Sequence, residues 1–348
     1  MAKVPESVTK EQYLLKSTFF YNMLRQNGYF ELFMQIQKFD AIEGKLLDWE
    51  NREKWNISKE AWTIIEKNGI PPTLLFLHPK VLTLYPTYLK YYRSVAMIPQ
   101  KGLKAISHVS NVDAIENAKI ESGNLSKEKI LNLVKSINEV VSLIISLSPG
   151  LNENEIQGMM YATAGTNIDG SWRNQIGAEG ERVIRSIILK ELFLQKEINS
   201  IALIKPNIIK PISDCNIQNL IDDIDKVKTI HLINGYSIHF SSEPDVTMFD
   251  AEGNIVGVIE IKSGLDPAGA LERLGAMFKS FENTLSEYPD AITILVASCI
   301  TEEVSNRLNA SMVVRQTFIT TNITSSDSEK RKFVNRLRAI MKLVRKTL

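Results

Sequence analysis

The segment Glu243-Pro244-Asp245-Val246-Thr247-Met248-Phe249-Asp250 is followed by Ala251-Glu252-Gly253-Asn254 and then by Val256-Gly257-Val258-Ile259-Glu260-Ile261-Lys262. Side chains alternate along a strand, so Glu260 and Lys262 project to one side while Ile259 and Ile261 point to the other. The Gly-Asn turn chemistry between the runs predicts an antiparallel hairpin, which returns Asp245 beside Glu260. Two carboxylates converging at a sheet edge can hold a hard cation such as Mg2+, which prefers oxygen ligands and keeps several of its waters. A lysine beside them can orient or deprotonate one of those waters. The chemistry this layout suits is metal-dependent phosphodiester hydrolysis. The plainer reading makes Glu260 and Lys262 the solvated face of an amphipathic strand, with Asp245 capping a turn.

The elements around the hairpin decide how it is held. Upstream, Trp172-Arg173-Asn174-Gln175-Ile176-Gly177-Ala178-Glu179-Gly180-Glu181-Arg182-Val183-Ile184 leads into an apolar helix that ends near Phe193. Gly177 and Gly180 share one helix face and would let it approach the sheet closely. Downstream, Ser263-Gly264-Leu265-Asp266-Pro267 breaks the strand, and Ala268 to Leu285 reads as a helix with Asp266 near its cap and Pro267 in its first turn. Ala291 to Ser298 has the continuous apolar character of a strand buried on both faces. A helix from Thr301 to Leu308, a strand from Val313 to Thr320 and a last helix from about Ser326 to Val344 follow.

Pro244-Asp245 with Glu260-Ile261-Lys262 resembles the signature of the PD-(D/E)xK nuclease superfamily, and the order helix, hairpin, helix, strand over roughly residues 170 to 325 is similar to its type II restriction endonuclease branch. The resemblance implies an α/β (α+β) fold: a mixed central sheet flanked by helices, with the mainly helical N-terminal region lying outside the common core. It implies that Asp245 and Glu260 bind Mg2+ with the main-chain carbonyl of Ile261. It also implies that a glutamate of the preceding helix completes the site, often through water, and that Lys262 positions the attacking water. Glu181 is the candidate for that helix acid and Glu179 the reserve; the alternative for Glu181 is an acid complementing the helix dipole. Residues two apart on a helix point about 200 degrees from each other, so only one of the pair can face the site. Position 181 lies within about 60 degrees of Ile184 and Ile188, which mark the packed face.

The activity implied is sequence-specific hydrolysis of double-stranded DNA at a short, palindromic site by a homodimer, giving 5'-phosphate and 3'-hydroxyl ends, with a cognate DNA methyltransferase in the host. Two other readings stand beside it. One is a junction-resolving or repair nuclease of the same fold. The other is a non-catalytic DNA-binding protein, against which the presence of all three of Asp245, Glu260 and Lys262 counts.

Bulk properties set the frame. The 348 residues, 44% hydrophobic, can build one large domain or two with cores of their own. The division expected is 1–155 as a helical region contributing to DNA recognition and 156–348 as the catalytic domain. No apolar run approaches the length of a membrane span, and the start of the chain lacks the apolar core of a secretory signal. Cys215 and Cys299 form neither a disulfide framework nor a zinc spacing, which fits a reducing cytoplasm. The four histidines share no metal spacing, and no phosphate-binding glycine loop is present.

A net charge of +1 says little about DNA, because a binding cleft is local. The last helix concentrates Lys330, Arg331, Lys332, Arg336, Arg338, Lys342, Arg345 and Lys346, available for phosphate contacts or simply solvated. In the N-terminal region the sequence predicts helices over Glu11–Phe39, Ser58–Asn68, Leu89–Ser94 and Lys127–Leu147, with breaks at Ser148-Pro149-Gly150 and Ala164-Gly165-Thr166-Asn167. Its tryptophans and tyrosines are mostly core. Arg93, Gln100, Lys101 and Lys104, beside Pro99 and Gly102 in an expected loop, are its candidate DNA contacts.

Overall fold

Apolar residues recur at helical spacing through the first half of the chain and at strand spacing through much of the second, and the architecture divides accordingly. The computed structural model describes residues 6–119, 124–264, 270–298 and 300–343. They form two units, Tyr13–Trp172 and Arg173–Leu348, the second joined by the described part of Met1–Gln12.

The first unit is helical. α1 (Glu6–Gln26) and α2 (Tyr29–Glu43) occupy the stretch expected to be one helix. Gly28 separates them with φ at 67°, a left-handed conformation that glycine adopts without steric penalty. α3 (Lys59–Asn68) begins where the Ser58 hydroxyl accepts the Ala61 N–H at 3.1 Å and ends at left-handed Gly69. Short helices follow, the first three among prolines: α4 (Pro79–Leu84), α5 (Leu89–Val95), α6 (Gln100–Ser107) and α7 (Val112–Glu116). α8 (Lys127–Leu147) is, by length and composition alone, apolar enough to cross a membrane, contrary to the expectation that nothing reached that length. Its face of Ile130, Leu133, Val134, Ile137, Val141 and Ile145 is buried in the unit's core, the pattern of a core helix. Buried Asn138 on that helix accepts from the Leu77 N–H at 2.8 Å and donates to the Leu77 carbonyl at 3.0 Å.

α9 (Glu153–Leu194) runs without interruption through Ala164-Gly165-Thr166-Asn167, where a break was expected. Ile156, Met160, Ala164, Ile168 and Trp172 form a buried stripe at intervals of four residues that carries across the glycine. One glycine disfavours a helix by about 1 kcal/mol, whereas burying one large apolar side chain stabilises by roughly 1.5–3 kcal/mol, so packing overrides local propensity. The two units divide inside α9, at Trp172/Arg173.

The second unit is built on an eight-stranded sheet. β1 (Ile198–Leu203), β2 (Ile209–Pro211), α10 (Ile217–Asp222), β3 (Val227–Leu232), β4 (Ser237–Phe240), β5 (Val246–Phe249) and β6 (Ile255–Lys262) come first. α11 (Ala270–Glu287), β7 (Ile292–Ala297), α12 (Glu302–Ala310), β8 (Gln316–Ile319), α13 (Thr320–Ser325) and α14 (Asp327–Ile340) complete it. Strand order is β2-β1-β3-β4-β5-β6-β7-β8, antiparallel as far as β6 and parallel from β6 to β8. Asp266, Pro267, Cys299, Val344, Arg345 and Lys346 lie outside the described residues.

Strand alternation sorts the two faces. Ile259, Ile261, Ile294 and Val296 pack with Ile184 and Ile188 of α9 and Phe333 and Leu337 of α14. Val258, Leu295 and Ala297 pack on the opposite face with Met277 and Phe281 of α11 and Val304 of α12. The result is a mixed sheet between helical layers, with a helical N-terminal region, as the sequence implied.

Candidate active site

The hairpin of β5 and β6 forms as its turn residues require. Asp250 Oδ1 accepts the N–H groups of Glu252 and Asn254 at 3.1 and 2.7 Å, and Gly253 takes a φ of 88°. Val246 pairs with Ile259 in register, which brings Asp245, one residue ahead, opposite Glu260. Glu260 and Lys262 share the face that carries Val258, toward α11, while Ile259 and Ile261 enter the core on the other side.

Five groups converge there. Lys262 Nζ lies 2.5 Å from Glu260 Oε2 and 3.7 Å from Asp245 Oδ2. Asp245 Oδ2 also accepts the Ile261 N–H at 2.6 Å, and Glu260 Oε1 accepts the Ser280 hydroxyl of α11 at 2.7 Å. The lysine side chain is 25% exposed against 5% for Asp245 and 4% for Glu260, so the ammonium is the solvent-facing member of the trio.

Burial raises the Asp245 carboxyl to about 7, against the opposing pull of Lys262 and the Ile261 N–H and with the help of the nearby Glu260 and Glu181 charges. Burial acts to lower the Lys262 ammonium, but Asp245, Glu260 and Glu181 together outweigh it and hold it above the ordinary lysine value. The donors are all hard oxygens, and such a set fits Mg2+ or a similar cation.

Glu181 and Glu179 part company as the helical wheel requires. Glu179 is exposed. Glu181 bears electrostatically on both Asp245 and Lys262, but its Oε2 is paired with Arg185 at 2.6 Å. Among the described residues no group of three acids, histidines or cysteines is gathered closely enough to hold a metal ion, so Glu181 stands beside the two sheet carboxylates without joining them in one cluster. Its neighbour Gly180 meets the chain just past Lys262: a Cβ at 180 would overlap the Oγ and Cβ of Ser263.

The helical unit treats its candidate DNA contacts differently. Arg93 is 1% exposed; its Nε lies 2.5 Å from Glu116 Oε1, its Nη2 3.1 Å from Oε2, and its Nη1 donates to the Ile98 carbonyl at 2.9 Å. Gln100 donates to the same glutamate at 2.7 Å. These two side chains are thus spent inside the unit, not offered to a groove. Residues 100–107 form α6 rather than a loop, with Lys101 exposed and Lys104 loosely paired with Asp113 at 3.5 Å. In α14 the basic residues also divide: Arg338 is buried against Glu197 at 2.6 Å, while Lys330 and Lys332 pair with Asp327 and Glu329 of the same helix.

Ser280 and Arg185 went unnoticed in the sequence. Ser280 carried a signal, a hydroxyl on the α11 face marked by Met277 and Phe281. Arg185 carried one too, standing four residues after Glu181 on the same helix, whereas its second partner, the Ser241 carbonyl at 2.9 Å, is distant in the chain.

Residues 37–344 match the family described as XcyI restriction endonuclease. The match spans most of the chain, and the protein belongs to that family, whose members are endonucleases of restriction systems acting on DNA. No curated protein matches the chain.

Proposed function

We propose that this protein is a type II restriction endonuclease of the PD-(D/E)xK kind, cutting both strands of duplex DNA at a short specific sequence with Mg2+. The observation that carries the reading is the convergence of Asp245, Glu260 and Lys262 at the end of β6 in a chain matched over residues 37–344 by a restriction endonuclease family. Asp245, Glu260 and the Ile261 carbonyl would hold the cation, with Glu181 acting through water once it leaves Arg185. Bound there, Mg2+ supplies Lewis-acid polarisation of the scissile phosphate and stabilises the charge that develops in the displacement.

The side chains do the rest. Lys262, the exposed member of the trio, points a water at the phosphorus and favours its hydroxide form. Oxygen bonds to phosphorus as the P–O3' bond breaks, leaving a 5'-phosphate and a 3'-hydroxyl. Symmetric cutting would use a homodimer on a palindrome, in a cytoplasm where a partner methyltransferase protects host sites. Arg93 and Gln100, being spent on Glu116, leave Lys101 and Lys104 as the phosphate-contact candidates of the helical unit.

Incubating the purified full chain with a sequenced plasmid and Mg2+, then mapping the ends, tests this directly. Discrete fragments with the stated termini at one repeated sequence support it. Uncut linear duplex alongside resolved branched DNA would move the protein to the junction nucleases, and tight binding without cutting in any divalent ion would make it a DNA-binding protein.

A further inference from the structure

The two oxygens of Glu260 have different partners: Oε1 takes the hydroxyl of Ser280 and Oε2 takes the ammonium of Lys262. The partners also differ in mobility. Lys262 sits on a flexible four-carbon stem at the solvent edge, whereas Ser280 is 5% exposed on α11, flanked by Met277 and Phe281, both fully buried. Its main chain is tied as well, since the Thr284 hydroxyl donates to the Ser280 carbonyl at 3.1 Å. A hydroxyl set in an apolar helix face needs a polar partner, and within its reach Glu260 supplies one.

We propose that Ser280 is a positioning residue that fixes the Glu260 carboxylate, holding Oε1 still so that Oε2 alone exchanges Lys262 for a divalent cation. This rests on the metal reading given above and extends it. The carboxylate keeps its plane during the exchange, and the lysine is released toward the solvent side, where the water to be oriented arrives. Groups that orient a ligand in this way are commonly worth about 10–100-fold in metal affinity or activity.

The test measures Mn2+ binding to the full chain by electron paramagnetic resonance, beside cleavage over a range of Mg2+ concentrations. Ser280→Ala is expected to weaken Mn2+ binding by about 10–100-fold and to raise the Mg2+ concentration for half-maximal cleavage by a like factor, leaving the KM for DNA unchanged. Ser280→Thr, which keeps the hydroxyl, is expected to recover most of that affinity. Ser286→Ala removes an exposed hydroxyl further along the same helix and should leave Mn2+ binding as in the wild type. Should Ser280→Ala not fold, Ser280→Cys, with a weaker donor of similar size, must give an intermediate loss.

Wild-type affinity in Ser280→Ala or Ser280→Cys overturns the proposal, as does an equal loss in the Ser280 and Ser286 variants. If the wild-type chain itself binds no divalent ion, the metal reading falls first. If it binds and Ser280→Ala binds equally well, only the role of Ser280 falls.

Discussion

Asp245→Asn should make the metal-free protein more stable at pH 8 and no more stable at pH 4, while abolishing cleavage. The Asp245 carboxyl stands at about 7 in the folded chain against 3.8 as its ordinary value, and burial is the main cause. Below 3.8 both folded and unfolded chains carry the proton and the group is neutral to stability. As pH rises from there, the unfolded chain releases the proton while the folded chain keeps it, so stability falls until the folded carboxyl also ionises near 7. At 1.36 kcal/mol per unit the full loss is on the order of 4 kcal/mol. Asparagine retains an oxygen for the Ile261 N–H but takes a partner from Lys262, so the net gain at pH 8 should be about 1–3 kcal/mol. Lys262 does not blur the window, because a raised ammonium loses its stabilisation only above the ordinary lysine range. Urea unfolding of both proteins in EDTA from pH 4 to 8 provides the assay, and added Mg2+ should remove the wild-type slope by favouring the carboxylate. Parallel pH profiles for wild type and Asp245→Asn, or a variant less stable at pH 8 than at pH 4 relative to wild type, would refute the reasoning.

Lys262→Ala should cut more slowly by ~10²–10⁴-fold, the usual range for a group that handles the reacting proton, yet bind DNA in Ca2+ as wild type does, measured by gel shift. Gly180→Ala should reduce thermal stability by about 1–3 kcal/mol because its methyl meets Ser263, and Gly180→Ala with Ser263→Gly should restore it; calorimetry that finds the single variant as stable as wild type would show the helix free to back away. Arg93→Ala should destabilise the protein by ~3–5 kcal/mol by leaving Glu116 buried without its cation. Lys101→Ala and Lys104→Ala, by contrast, should each flatten the salt dependence of DNA binding by about one ion if they meet phosphate. Chemical denaturation and fluorescence anisotropy over a salt series separate the two kinds of effect.

Local signals in the sequence translated well into structure. Gly253 and Asn254 announced the β5–β6 turn, and the alternation of Ile259, Glu260, Ile261 and Lys262 fixed which side chains leave the core. Ser58, Ser126, Thr301 and Ser326 cap helices by accepting main-chain N–H bonds, as their types and places suggest. What resisted reading depends on partners far along the chain. Arg93 is an exposed-looking base beside Pro99 until Glu116 is brought to it, and Gly165 is a helix breaker until the stripe from Ile156 to Trp172 has a core to enter. Neither partner is visible to a window of a few residues, so local composition suggested a DNA-facing loop in one case and a break in the other.

Glu181 shows where the two kinds of information meet. The helical wheel rightly groups it with Ile184 and Ile188, but those residues pack on the face of the sheet occupied by Ile259 and Ile261, opposite the face of Glu260 and Lys262. A side chain on that face can influence the site only where the strand stops, because along its length β6 separates the two layers. Gly180 is set against Ser263, the first residue beyond β6, and its missing side chain is what lets α9 come so near that end. The Glu181 charge is consequently felt by Asp245 and Lys262 although its oxygen rests on Arg185. Periodicity offers position 181 ahead of 179 as the acid on the packed face. It does not show that α9 meets the chain just beyond β6 at the glycine one residue away.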